Sequence, residues 1–272
     1  MDLSLTRSRN QGIKWLARTG FIAKGVVYVL LGVIAVMAAF HMGGQSSRDA
    51  DKTGVFAFVK DGFGGNWLLP LLGAGLACYS AWRLIEAYHA FSARGKERWK
   101  GAVYFFSAII HISLAVTAFR AGFGSSGGKK DSQQQFASEL LSKPFGQWLL
   151  GIAALVIAGV GIYQIYYGLS EKYRKHVRGM NLHNNAGNVL LYAGKFGYAA
   201  RGFVWLIIAY LFLRGAFRSS ASQTGDTGKA FQFVQESTYG TYLLALLGLG
   251  LIAYGLFNFI RARYEEFNQE VR

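Results

Sequence analysis

Six cationic or amide side chains fall at matched positions along apolar stretches of this sequence, and together they could hold an anion. Lys24, Lys100 and Arg201 each stand directly before a glycine at the start of an apolar run. Arg83, Gln164 and Asn258 each follow an aromatic residue, Trp82, Tyr163 and Phe257, deep in another run. Cations supply charge and amides supply hydrogen bonds, so six such groups facing one axis would form a cup for an anionic lipid headgroup or a small anion. The purely structural use of the same residues is interhelical hydrogen bonding, an Arg83–Glu86 pair at i,i+3, and cations reaching out to the headgroups. His111 and Arg214 form a second set, which could serve an ion or proton path because histidine titrates near neutral pH. His111 has Ala35 and Phe212 at the matching positions, so a symmetric pore would not use it.

Other chemistry finds no residues to carry it. The sequence has no HExxH, P-loop, nucleophile elbow or CxxC. Its one cysteine, Cys78, excludes an internal disulfide framework. His176 and His183 alone do not make a metal site. With 14 acidic residues and none paired at depth, general acid–base catalysis has few players. The expectation is therefore a non-enzyme without metal or cofactor. A net charge of +15 raises nucleic acid as a partner, yet the basic residues cluster at the ends of apolar segments and not along one stripe. The expected partners are the bilayer, anionic lipid within it, and a membrane protein; nucleic acid is not expected.

These residues must be positioned by membrane helices. Hydrophobic residues make up 52% of the 272-residue chain and charged ones only 16%, well below the roughly 25% of a soluble domain. Six runs are long enough to span a bilayer: Phe21 to Phe40, Trp67 to Tyr88, Gly101 to Phe119, Trp148 to Leu169, Gly197 to Phe217, and Tyr242 to Arg261. The first run is not a signal peptide, because its residues recur in the third and fifth. The recurring set is an aromatic, a cation three residues on, cation–glycine six residues later, then another aromatic. It comprises Trp15, Arg18, Lys24, Gly25 and Tyr28, then Phe91, Arg94, Lys100, Gly101 and Tyr104, then Tyr192, Lys195, Arg201, Gly202 and Trp205. Each repeat holds two spans, so successive repeats keep one orientation.

The fold class expected is an all-α membrane protein, with six transmembrane helices as three parallel two-helix repeats in a pseudo-threefold bundle. The repeats occupy 10–90, 91–171 and 186–264, with a linker at 172–185 and a tail at 265–272. One face of the membrane collects 19 of the 29 Lys and Arg residues, so that face, with both termini, is expected in the cytoplasm. On this reading Arg83, Gln164 and Asn258 lie about 15 residues, or roughly 23 Å, into helices that enter from outside. They would stand level with Lys24, Lys100 and Arg201 in the inner third, with Glu86 the one carboxylate at that depth. The outer connections Thr53 to Gly64, Ser132 to Gly146 and Thr227 to Gly240 read as short amphipathic helices that cap the bundle or dock a partner.

The segments "GFIAKGVVYVLLG" (Gly20 to Gly32), "GYAARGFVWLIIA" (Gly197 to Ala209), "KPFGQWLLG" (Lys143 to Gly151) and "GLGLIAYGLFNFIRA" (Gly248 to Ala262) resemble the bacterial domain-of-unknown-function family numbered 1206. The resemblance implies a threefold repeat of paired membrane helices, in the bacterial inner membrane, and supplies no activity. Repeat two departs from the pattern, with Lys96 where the others have Gly20 and Gly197. The function expected is that of a non-catalytic membrane protein that binds lipid or supports a complex. The alternative is a small ion or anion channel or transporter along the pseudo-threefold axis.

Overall fold

The computed structural model of the chain describes residues 2–62, 64–92, 98–124, 132–177 and 185–265, and for 2–10, 132, 175–177 and 185–190 the backbone alone. Arg94, Lys96 and His183, and the side chain of His176, lie outside the described residues. Nine α-helices are described: α1 Asp2–Ala39, α2 Lys52–Gly62, α3 Gly65–Ser92, α4 Arg98–Gly122, α5 Ser132–Leu141, α6 Gly146–Leu169, α7 Asn185–Phe217, α8 Thr227–Gln235 and α9 Gly240–Tyr264. Six contain spans long and apolar enough to cross a membrane: Gln11–Ala39, Gly65–Ser92, Arg98–Gly122, Gly146–Leu169, Leu191–Phe217 and Gly240–Tyr264. Lipid offers the backbone no hydrogen bonds, and a helix satisfies its own.

The three connections within the helix pairs hold α2, α5 and α8. Two of these begin with an aspartate cap: Asp51 accepts from the Gly54 amide, and Asp226 accepts from the Lys229 amide at 3.2 Å. Such caps serve the N–H groups that a helix start leaves unpaired. Phe56 and Val59 of α2 and Phe231 and Val234 of α8 share the core, so these short helices are held by their apolar faces.

Helix packing follows a ring. The closest interfaces are α3 with α4, α6 with α7, and α9 with α1, each joining the second helix of one repeat to the first helix of the next. The α9–α1 contact joins the last repeat to the first, which makes the bundle pseudo-threefold. Within repeats, α1 packs on α3 and α7 on α9, more loosely. The remaining pair, α4 and α6, has no packed interface among the described residues. The ring is open there.

Glycine explains two of the tight crossings. A Cβ on Gly25 or Gly255 would meet the other's carbonyl oxygen at 3.0 and 2.7 Å, and Gly161 and Gly202 repeat this at 2.9 and 2.8 Å. Backbones this close leave no room for a side chain, and the glycine of the repeated cation–glycine pair is there for that reason. At α3–α4 the equivalent residue is Ser80, whose hydroxyl turns back to the Leu76 carbonyl at 3.0 Å.

Candidate anion-binding cage

The cations of repeats one and three lie deeper than their place in the sequence suggested. Lys24 is nine residues past the exposed Trp15, about 14 Å along α1. Arg201 is likewise nine residues past the exposed Tyr192. Lys24 is buried and bonded within the bundle, so it does not reach out to the headgroups.

Two tyrosines organise the interior. Lys24 donates to the Tyr79 hydroxyl at 3.1 Å, and Arg83 Nε donates to the same oxygen at 2.9 Å. Arg201 donates to the Tyr254 hydroxyl at 2.7 Å. Lys24 also stands 4.8 Å from the Tyr79 ring and 5.5 Å from the Tyr254 ring, and Arg201 lies 5.3 Å from Tyr28 and 4.9 Å from Tyr254. The Tyr28 and Tyr254 rings meet edge-on at 4.8 Å. Four helices, α1, α3, α7 and α9, therefore converge on two cations through phenols and ring faces.

Charge balance separates the cations into two classes. Arg83 is paired with Glu86 at 2.6 Å, the i,i+3 pair read from the sequence. Arg261 grips Glu265 with two parallel bonds, 2.7 and 2.8 Å, and covers the Phe21 ring at 4.2 Å. Both guanidinium groups are thereby neutralised. Lys24 and Arg201 have no carboxylate partner among the described residues. Lys24 has one hydrogen bond for its three N–H groups, and Arg201 Nε is buried without an acceptor. A hydrogen bond to a charged group contributes about 1.5–3 kcal/mol and a desolvated ring face about 2 kcal/mol. An effective desolvation penalty of several kcal/mol per ion leaves these two sites calling for a negative group.

The remaining expected residues divide. Asn258 is buried, donates to the Tyr254 carbonyl at 2.6 Å, and leaves its Oδ1 unpaired beside the cage. Gln164 shares the α6 face of Gly161 and Gly168 that packs on α7, and its Oε1 is also unpaired. Lys100 is half-buried in the first described turn of α4. The register position that gives repeats one and three Tyr79 and Tyr254 is Val160 in repeat two, so the cation–phenol bond is not repeated there. The cup of six is thus a cage centred on Lys24 and Arg201. The four inner cations are Lys24, Arg83, Arg201 and Arg261, and the carboxylates are two, because Glu265 joins Glu86.

His111 packs against this cage. Its ring lies 4.5 Å from that of Tyr79, and its Nδ1 donates to the Ser107 carbonyl at 2.7 Å. Arg214 is half-buried in the last turn of α7, and among the described residues no contact links it to His111. Half-buried Lys52 at the start of α2 comes within electrostatic reach of Arg201 and Tyr254. Burial, then the like charge of Arg201, pulls its pKa down to about 8 against the opposing pull of Asp226, Tyr254 and Asp51. Sequence reading missed Tyr79 and Tyr254, Arg261 with Glu265, and Lys52. The tyrosines were within reach, since the spacing that aligns Arg83 with Asn258 also aligns Tyr79 with Tyr254.

Among the described residues no group of three His, Cys, Asp or Glu side chains is placed to hold a metal ion. No solved structure matches the chain. A Bacillus subtilis (strain 168) protein, described as "Uncharacterized protein YxxB", is 30% identical over 263 residues, covering 95% of this chain and 93% of the relative. The family described as Domain of Unknown Function (DUF1206) matches three times, at 19–90, 102–171 and 196–265. With three matches that fall on the three helix pairs, the chain belongs to the DUF1206 family of multi-pass membrane proteins.

Proposed function

We propose that this protein binds a compact oxyanion, a phosphate group on a lipid or free in solution, in the cage between Lys24 and Arg201. The reading is non-catalytic: the cage holds cations, phenols and a histidine, and no nucleophile paired with a base. The observation that carries it is the split in charge balance. Arg83 and Arg261 have carboxylates in hand, while the two cations held only by phenols and ring faces do not. An oxyanion would accept from the unserved N–H groups of both and cancel their mutual repulsion. The protein works in the bacterial cytoplasmic membrane with both termini inside, a reading supported by the basic bias of that face. A second reading, passage of an anion through the ring, draws on Lys52 at the start of α2, whose charge interacts with that of Arg201.

Phosphate titration tests the proposal. In detergent free of anionic lipid, phosphate raises the thermal midpoint of the wild type above that in chloride of equal ionic strength. Ligand at 100 times its Kd is worth about 2.7 kcal/mol. Lys24→Gln combined with Arg201→Gln abolishes the phosphate-specific rise. An equal rise in both proteins would place the anion elsewhere and overturn the assignment.

A further inference from the structure

The gap between α4 and α6 is where the ring departs from its own symmetry. Val103 of α4 is 52% exposed, whereas its equivalents Val27 and Val204 are buried. Ile110 is 45% exposed, against the buried Ile34 and Leu211. Val160 of α6 is 42% exposed, while Tyr79 and Tyr254, the residues in its register, reach the two cage cations. The same register positions are thus sealed in repeats one and three and uncovered in repeat two. The uncovered surface is apolar. His111, on the buried stripe of α4, borders the cage through its contact with Tyr79.

We infer that this gap is a lateral entrance for an anionic lipid, whose acyl chains lie between α4 and α6 while its phosphate sits at Lys24 and Arg201. The inference rests on the cage's affinity for an oxyanion and adds the source and the route. Three features select lipid over a free anion. The gap is lined by valine and isoleucine, which offer an ion no hydrogen bonds but suit an alkyl chain. The other five interfaces of the ring are packed, so among the described residues a bulky amphiphile has this one way in from the bilayer. Charge complements it, because the cage that His111 of α4 borders through Tyr79 carries the two cations without carboxylates. A headgroup drawn about 14 Å past the aromatic belt exchanges its hydration for those N–H donors, while its chains stay in an apolar surrounding throughout.

Fluorescence quenching tests the entrance. In a Cys78→Ala background, a bimane probe goes on a cysteine at Val160, beside the gap. A second goes on a cysteine at Leu155, exposed on the opposite flank of α6. Each protein is reconstituted with chain-brominated phosphatidylglycerol or chain-brominated phosphatidylcholine at equal mole fraction. At position 160 the anionic lipid quenches at least twofold more than the zwitterionic one, and at position 155 the two quench equally. Arg201→Gln reduces the preference, and Lys24→Gln with Arg201→Gln removes it, while quenching at 155 reports that both variants remain inserted and folded. Equal quenching by the two lipids at 160, alongside an intact phosphate-specific thermal rise, rejects the entrance and leaves the anion site standing with a free anion. Loss of both signals rejects the two together. A preference that survives the double substitution, or an absence of quenching at 160 because a second copy covers the gap, also overturns the inference.

Discussion

Replacing Gly255 by alanine should open the ring at the level of the cage. A Cβ built there lies 2.7 Å from the Gly25 carbonyl oxygen and 2.8 Å from the Val29 amide nitrogen, both backbone atoms. Ordinary contact begins at 3.4 Å, so α9 must retreat from α1 by about 3.4 − 2.7 = 0.7 Å at this crossing. A gap of that size forfeits a quarter to a half of each contact's dispersion energy, and forced overpacking costs about 1–3 kcal/mol. Alanine gives back up to about 1 kcal/mol of helix propensity, leaving a net loss of about 1–2 kcal/mol. Lipid solvates the separated faces as well as each solvates the other, so no hydrophobic term opposes the retreat. Gly151→Ala is the control, because nothing lies within 4 Å of a Cβ at that position. It should be neutral or stabilising by up to about 1 kcal/mol. Unfolding of both variants in mixed micelles, followed by circular dichroism, gives the comparison. Gly255→Ala as stable as Gly151→Ala would refute the close backbone crossing as the element that shuts the ring.

Further predictions concern the groups around the cage. Tyr79→Phe removes the oxygen shared by Lys24 and Arg83 and should destabilise the protein by about 1–3 kcal/mol in the same unfolding assay. The equivalent Tyr254→Phe should weaken phosphate binding more than folding, because its oxygen positions Arg201, read as a change in apparent Kd by thermal titration. Lys52 has a folded-state pKa of about 8, below the 10.5 of the free side chain, so the unfolded chain binds its proton more tightly. Stability should therefore rise as pH goes from about 8 to 10.5, and Lys52→Met should remove that part of the rise in scanning fluorimetry. Cysteines placed at Ser8 and at Asn268 should both resist an impermeant thiol reagent applied outside intact cells; labelling of either would reverse the orientation.

Much of the architecture was legible because lipid imposes simple rules. Runs of 20 apolar residues must be helices, and a spacing of aromatic, cation and glycine repeated three times had to mean three similar helix pairs. The Arg83–Glu86 pair and the three short amphipathic helices also followed from periodicity. Depth was harder. Lys14 and Arg18 interrupt the apolar run, so the first span seemed to begin at Phe21, and Lys24 looked like an anchor at its mouth. In the fold, Ala17, Gly20 and Phe21 are buried on one side of a helix that is already within the bundle, which carries Lys24 inward. The broken symmetry was partly visible: Val160 stands where the other even helices have tyrosine. What a sequence repeat does not disclose is which of the equivalent interfaces fails to close. That depends on summed packing over a whole crossing, and here it fails between α4 and α6. Arg261 escaped notice because its register equivalents, Glu86 and Tyr167, are not basic.

The central claim is that Lys24 and Arg201 jointly hold an oxyanion inside the ring. A high-resolution structure of the protein in nanodiscs of mixed phosphatidylglycerol and phosphatidylcholine, prepared with phosphate present, tests it most directly. The account predicts tetrahedral density within hydrogen-bond distance of both Lys24 Nζ and Arg201 Nε, free or continuous with a lipid chain that leaves between α4 and α6. Water alone bridging the two cations, or either side chain turned onto a carboxylate, would contradict it.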